Sequence, residues 1–411
     1  MTSIAKLKES VEILRFDTSS NEEQYILCYE NRRWQVAELV YLICNEIDGE
    51  KTSKEIADSL SVSEKVVESV VNDFLANKGL LVNTHAPKTS KKENLNKYLW
   101  LKIPLIKGEY ILKTKFLKVL YNKKLMISLI SLSILIQIVS YINTLSLNDF
   151  LTLNVLNLSS VPLMFIILFL SLLTHELGHM AAFMKYDMVP GNIGFGMYFT
   201  APALFSDVSS AWKLSRKQRV LVDIGGMYFE FLFNTILCIL GLVINNSFYI
   251  YISFLSQINI LRNLNPFLKY DGYWVATDLL GIPNLHDKVK GFFIYFICRV
   301  FGVKSEFKLS TIRKKERQLF LMFALLNVLY VLFFSSTLVV LFISIWRKII
   351  VSVNISAFLT YSMSQLFTLF KNNIGTLILF MILIRIGITA LKGITKGIKI
   401  IVTTLKQQPV L

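Results

Sequence analysis

Six apolar runs of nearly membrane-spanning length constrain this chain more than any other feature. Their ranges are 125–142, 161–184, 226–245, 248–263, 318–346 and 373–391. A helix needs roughly 20 apolar residues to cross about 30 Å of hydrocarbon. Hydrophobic residues make up 54% of the chain, above the roughly 45–50% of soluble domains. We therefore predict a mainly α, polytopic helical membrane protein with about six spans.

The basic residues predict the orientation of these spans. Five lysines precede the first run, whereas 143–160 contains no Lys or Arg. Because cytosolic loops are enriched in Lys and Arg, we expect the N-terminus inside and the first loop outside. With about six spans, the basic tail also lies in the cytosol. Arg347 and Lys348 would then lie on the outer side, contrary to the enrichment of basic residues in cytosolic loops. The segment 350–370 is more polar and is predicted to be interfacial or re-entrant.

The sequence pattern of residues 1–87 predicts a small N-terminal α/β domain with a winged-helix-like order of elements. Residues 1–85 carry nine Lys and Arg against fifteen Asp and Glu, a net charge of −6, while the whole chain carries +16. No apolar signal peptide precedes this module, so we expect it to stay in the cytosol. The predicted elements are a hairpin (24–29 and 34–36), helices over 37–47 and 52–60, a third helix from Ser63, and a strand over 80–82.

The remaining chain is predicted to have three parts. A basic linker covers 88–124, a membrane core covers 125–290, and further spans with a basic tail cover 291–411. The four cysteines are widely separated and form no CxxC pair. We therefore expect neither a disulfide framework nor a thiolate metal site.

The second apolar run carries the motif with the clearest chemistry, His175-Glu176-Leu177-Gly178-His179. In HExxH on a helix, the two histidines lie four residues apart on one face and can both bind Zn²⁺. The intervening Glu176 is the candidate general base. Ionisable side chains are costly inside a spanning helix and usually functional there. The alternative is a structural cluster of polar side chains.

A catalytic zinc ion requires a third protein ligand, and Asp271 is the best candidate. Asp271 follows the fourth run, where Pro266 and Gly272 predict a break in the helix. His85 and His286 are less suitable because one lies in the predicted linker and the other follows a turn. Taken alone, Asp-Gly is also typical of an ordinary turn.

Together these motifs resemble the site-2 protease family of intramembrane zinc metalloproteases. HExxH is followed by Asn263-x-x-Pro266-x-x-x-x-Asp271-Gly272, which is similar to the second family motif, NxxPxxxxDG. The resemblance covers roughly 125–290. It implies His175, His179 and Asp271 as zinc ligands, Glu176 as general base, and Asn263 as a contact to the substrate backbone or oxyanion. The segment 202–212, with Asp207, resembles the family's membrane-associated loop or strand region.

The N-terminal module resembles a PqqD-like domain, which recognises leader peptides of ribosomally made, modified peptides. The resembling residues run from Asp48-Gly49-Glu50-Lys51-Thr52 through Glu55-Ile56-Ala57, then Phe74-Leu75 and Gly79-Leu80-Leu81. A generic winged helix shares them, so a structural or regulatory cap remains an alternative. Such a module would bind a peptide as an added edge strand. Its negative charge argues against nucleic acid, since phosphate contacts need Lys and Arg.

These observations predict a zinc metalloendopeptidase in the bacterial cell membrane, with its active site toward the cytosol. Its expected partners are the lipid bilayer and a peptide precursor, with an ABC transporter nearby. A membrane-anchored regulator is a second substrate class. The alternative from a different class is a non-catalytic membrane component of a peptide export or immunity system. The presence of Glu176 argues against this alternative, because a structural zinc site needs no general base.

Overall fold

The computed structural model describes most of the chain in two compact units, Met1–Pro283 and Asn284–Leu411. The segment predicted at 350–370 and the last predicted span, 373–391, fall almost entirely outside the described residues. The described residues are 4–30, 32–82, 84, 99–145, 158–198, 201–300, 302, 307–352 and single positions between 381 and 395.

The N-terminal module consists of a three-stranded antiparallel sheet followed by three helices. The strand order is β1-β2-β3, so β1 and β3 are the sheet edges. Strand β1 was missed from sequence; the hairpin and helices occur within a few residues of their predicted ranges. The elements are β1 Glu12–Phe16, β2 Gln24–Tyr29, β3 Arg32–Ala37, α1 Glu38–Glu46, α2 Ser53–Ser59, and α3 Glu64–Glu68 with a wider π-type continuation over Ser69–Ala76.

An apolar core and a helix cap stabilise this module. Leu27, Ile43 and Val67 are fully buried in a single cluster of apolar side chains. The predicted capping box at the start of α2 is confirmed. Thr52 Oγ1 accepts a hydrogen bond from Glu55 N at 3.3 Å, and Glu55 Oε2 accepts one from Thr52 N at 2.8 Å. These hydrogen bonds satisfy backbone donors that a helix start leaves unpaired.

A second antiparallel sheet and a bundle of helices form the rest of the first unit. The sheet has the order β4-β5-β6, and β4 lies within the predicted linker, whose residues from 99 onward are therefore structured. A 3-10 turn over Lys115–Tyr121 follows α4. The elements are β4 Leu99–Ile106, α4 Gly108–Leu112, α5 Lys123–Thr144, α6 Val161–Met184, β5 Ile193–Tyr198, β6 Ala201–Ser206, α7 Arg216–Ile244, α8 Ser247–Asn263 and α9 Asp271–Leu280.

In the described part of the chain, four helices are long and apolar enough to cross a membrane, fewer than the six predicted spans. They are Lys123–Thr144, Val161–Met184, Arg216–Ile244 and Lys314–Arg347. The predicted fourth span is α8, which has only 17 residues and would be about 25 Å long at 1.5 Å per residue. Helix α7 begins ten residues before its predicted apolar run because Ser215 and Gln218 form a capping box there.

The N-terminal module contacts the bundle through the loop between β1 and β2. Ser19 is buried, and its backbone N and Oγ both donate to the carbonyl of Gly281, just after α9. Arg219 of α7 donates to the carbonyl of Asp17 at 3.0 Å and to Asp278 of α9 at 2.6 Å. These contacts join the module to the helix that begins at Asp271.

The second unit contains two described helices, α10 (Leu285–Val300) and α11 (Lys314–Ser352). Phe292 packs edge-on against both Phe307 and Phe320, whose own rings are stacked. Phe320 is fully buried. An aromatic cluster therefore holds the start of α11 against α10.

Candidate metal centre

Helices α6 and α7 approach closely where the HExxH motif lies. The backbones of Gly178 and Gly225 meet, since a Cβ on Gly178 would lie 2.3 Å from the Gly225 carbonyl oxygen. The hydroxyl of Tyr121 lies 2.8 Å from the carbonyl oxygen of Gly178 and 3.2 Å from that of Gly225. Small residues permit this kind of backbone contact between helices. The contact brings α7 against the face of α6 that carries both histidines.

Three of the residues singled out from sequence converge here: His175, His179 and Asp271. Nε2 of His175 lies 3.2 Å from Nε2 of His179 and 2.9 Å from Oδ2 of Asp271. Nε2 of His179 lies 3.7 Å from Oδ1 of Asp271. Both histidines are buried and Asp271 is partly buried. Residues 96 positions apart in sequence thus present two nitrogens and a carboxylate to one point.

The donor set fits a zinc ion. Zinc binds His nitrogen and Asp oxygen at roughly 2.0–2.2 Å in tetrahedral geometry, which places ligand atoms about 3.3 Å apart. The three observed separations lie on either side of this value. Gly226 leaves room beside the ligands: a Cβ there would lie 2.4 Å from His179 Nε2 and 2.6 Å from His175 Nε2. His175, His179 and Asp271 could therefore hold a metal ion.

The far nitrogen of each imidazole ring has its own acceptor. Nδ1 of His175 lies 2.9 Å from Oε2 of Glu230, and Nδ1 of His179 lies 2.7 Å from the carbonyl oxygen of Val222. Because a carboxylate and a carbonyl can only accept, Nδ1 is the donor in both rings. This leaves a lone pair on each Nε2, the atom that faces Asp271.

A break between two helices brings Asp271 to the histidines. Helix α8 ends at Asn263, three residues before Pro266, and α9 begins at Asp271. A proline disfavours helical backbone in the residue before it. Gly272 is required because a Cβ there would lie 2.4 Å from the Leu264 carbonyl oxygen. Burial alone would raise the pKa of Asp271, but when His179 and His175 are protonated they lower it below its usual value.

The other predicted site residues are not part of the three-residue group that could hold a metal ion. Glu176 is half-buried on α6, between the two histidines in sequence. Asn263 is buried at the end of α8, and in the described part of the chain no hydrogen bond joins its side chain to the three ligands. Asp207 follows β6, and its Oδ1 accepts from the backbone N of Ser209. His85 lies outside the described residues, and His286 is in α10 of the second unit.

Sequence reasoning missed Glu230, which is the carboxylate behind His175. It lies inside the predicted apolar run 226–245 and is only 1% exposed. The signal was available, since an acidic residue in an apolar span is costly and usually functional. What the pattern could not provide was its partner, 55 positions away on another helix.

The comparisons with known proteins agree with a zinc site. The chain is 20% identical over 200 residues to YydH of Bacillus subtilis (strain 168), whose name provisionally describes it as a peptide zinc metalloprotease. The match covers 48% of this chain and 79% of YydH. No protein-family profile matches the chain, and no solved structure matches it. This distant similarity supports a metalloprotease role and leaves the substrate and the membrane setting as proposals.

Proposed function

We propose that this chain is a zinc metalloendopeptidase of the site-2 protease type, embedded in the bacterial cell membrane. The observation that carries the proposal is the convergence of His175, His179 and Asp271 next to Glu176. Two imidazoles and one carboxylate leave a fourth position of a tetrahedral zinc ion open, as catalytic sites require. The similarity to YydH points to the same chemistry.

In this proposal, zinc is held by His175, His179 and Asp271 and, when bound, acidifies water and polarises a carbonyl group. Glu176 accepts the proton of the attacking water and passes it to the leaving amine, as a general base and then a general acid. Asn263 is proposed to hold the substrate backbone or the developing oxyanion. Glu176 is half-buried, so part of its side chain remains accessible.

The N-terminal module is proposed to recognise the substrate as a PqqD-like domain, with a ribosomally made peptide precursor as the expected substrate class. One face of its sheet packs on the module's own core through Leu27. The opposite face meets the bundle, where Lys213 binds Glu12 at 2.7 Å and Arg33 donates to the carbonyl of Ser209. Because both faces are in contact, a peptide strand would add at an edge, β1 or β3.

The membrane setting rests on the four long apolar helices and on the charge pattern. Because Lys-rich sequence precedes α5 and 143–160 contains no Lys or Arg, we propose that the N-terminus and the active site face the cytosol. The bilayer is then the first partner, and an ABC transporter that exports the processed peptide is the next. A membrane-anchored protein is the second substrate class for the same site.

The test compares purified wild type, Glu176→Gln and the control Thr174→Val for zinc content and for cleavage of a candidate peptide precursor. Wild type and Thr174→Val should hold about one zinc and cleave, while Glu176→Gln should hold zinc and cleave about 10²–10⁴-fold more slowly. Thr174 is a suitable control because its hydroxyl bonds only to the Leu170 carbonyl of its own helix.

Two outcomes would overturn the proposal. One is a wild-type protein that binds no zinc. The other is a Glu176→Gln variant that processes the precursor as fast as wild type. The first result would favour the alternative of a non-catalytic component of an export or immunity system, and the second would exclude Glu176 as the general base.

A further inference from the structure

Glu230 is the most deeply buried acidic side chain in the described part of the chain, and it lies in the middle of α7. At 1% exposure it is almost completely shielded from bulk solvent. Its carboxylate is bonded to side chains of α6 and α8. The partners are Nδ1 of His175 at 2.9 Å, Oγ of Ser171 at 3.4 Å, Oγ of Ser256 at 3.1 Å and Nδ2 of Asn259 at 2.8 Å.

All four partners can donate a hydrogen bond. A carboxylate is an acceptor with two oxygens. Here Oε1 accepts from the Asn259 amide and from the serine pair, in which Ser256 Oγ is the nearer hydroxyl, while Oε2 accepts from the His175 imidazole. Burying a charged group without such partners would cost several kcal/mol. The chain therefore stabilises this carboxylate of α7 with donors from two neighbouring helices, α6 and α8.

We propose that Glu230 is a positioning residue that sets the tautomer and ring orientation of His175 so that Nε2 is free to bind the metal. The inference rests on the proposed zinc site. A carboxylate behind a metal-binding histidine fixes the ring and raises its basicity, and losing such a partner costs about 10- to 100-fold in metal affinity. The second histidine differs, because His179 donates to a backbone carbonyl, that of Val222.

Two serine side chains next to Glu230 help to orient its carboxylate. Ser171 Oγ and Ser256 Oγ lie 2.9 Å apart, and both reach Oε1. They hold the carboxylate so that Oε2 points at His175. Removing Ser256 would take away one donor without touching His175, so its effect on the metal should be smaller than that of changing Glu230.

The experiment measures zinc affinity of the full chain in detergent, by competition with a chromophoric chelator, for wild type, Glu230→Gln, Glu230→Leu and Ser256→Ala. Cobalt absorption spectra of the same proteins report the geometry around His175. We expect Glu230→Leu to weaken zinc binding about 10- to 100-fold. Glu230→Gln should weaken it less, because an amide oxygen can still accept from Nδ1 of His175. Ser256→Ala should have the smallest effect on zinc binding. The cobalt spectrum should shift in both Glu230 variants.

Asn234→Leu is the matched control. Asn234 lies one turn further along α7, is fully buried, and has neither side-chain polar atom hydrogen-bonded in the described structure. Its replacement should leave zinc affinity unchanged. Glu230→Gln nearly preserves shape, so it separates positioning from misfolding if Glu230→Leu fails to fold.

The outcomes are distinguishable. If wild type binds no zinc, the proposed function fails. If wild type binds zinc and both Glu230→Gln and Glu230→Leu bind it equally tightly with an unchanged cobalt spectrum, the positioning role alone is overturned.

Discussion

The N-terminal module buries an apolar core, whereas the helical bundle buries ionisable side chains as well as apolar ones. In the module, Leu27, Ile43 and Leu75 lie in an apolar core, and acidic residues cover much of the surface. In the bundle, the interior holds apolar clusters, with Phe183 and Ile252 among their members, and also the ionisable side chains of His175 and Glu230. Apolar side chains also cover the outside. Exposed examples on the bundle helices are Leu135, Ile142, Ile236 and Val243.

This difference is the one expected if, as proposed, the module lies in water and the bundle lies in a bilayer. A module in water gains stability by hiding apolar surface. Helices in a bilayer gain little from doing so, and their contacts depend on packing and on hydrogen bonds between helices. Burying ionisable groups is costly, so we attribute the buried His175 and Glu230 of the bundle to the proposed metal site. Four changes test this comparison, from the largest expected effect to the smallest.

The largest effect is expected for Gly226→Ala in the bundle. The new Cβ would occupy the space next to Nε2 of His175 and His179, so zinc content should fall from about one per chain to near zero. Metal analysis of the purified protein measures this. Gly241→Ala is the control on the same helix, because its Cβ would meet the flexible Ile250 side chain. A zinc-loaded Gly226→Ala protein would contradict the assigned metal position.

The next effect is expected where the two regions meet, for Arg219→Met. Arg219 is buried, bonds to Asp278 and the Asp17 carbonyl, and lies over the Phe16 ring. Breaking a buried ion pair from one side costs about 3–5 kcal/mol, so the module should loosen. Hydrogen exchange of the backbone at residues 17–19 should rise.

Lys217→Met is the control for that change, since Lys217 is exposed on the same helical turn. Exchange at residues 17–19 should then match wild type. Equal exchange in Arg219→Met would mean that Arg219 does not hold the module to the bundle.

A smaller effect, confined to the module, is expected for Leu27→Ala. Removing a fully buried leucine costs about 2–5 kcal/mol, whereas Leu14→Ala on β1, which is 39% exposed, should cost less. Denaturant unfolding followed at the module measures both, and zinc content should stay unchanged. A loss of zinc in Leu27→Ala would mean that the apolar core and the metal centre form one cooperative unit.

The smallest effect is expected for Thr52→Ala at the start of α2, which should cost about 1 kcal/mol. Hydrogen bonds from Thr52 lower the pKa of Glu55. The contribution of Glu55 is thus present above its unfolded pKa of about 4.3 and is lost as pH falls through the lower folded value. Module stability in wild type should therefore decline in acid more than in Thr52→Ala. Parallel pH profiles would mean that the backbone N–H of residue 52, which Thr52→Ala retains, lowers the pKa of Glu55 without the Thr52 hydroxyl.

Much of the local structure could be predicted from the sequence because it depends on neighbours in the chain. The capping box of Thr52 and Glu55, the helix that carries His175 and His179, and the break before Asp271 all follow from short-range patterns. Strand β1 was missed because its pattern is weak and its pairing with β2 decides its conformation. Strand β4 was missed because it pairs with β5, about 90 residues away.

By itself, the sequence determined which chemical groups are present and which helices carry them, because helical periodicity alone places His175 and His179 on one face. Only the tertiary structure decided that Asp271 reaches both rings and that Glu230 lies behind one of them. The physical reason is that these pairs depend on how α6, α7 and α9 pack. That packing rests on contacts such as Gly178 with Gly225, which no local pattern specifies.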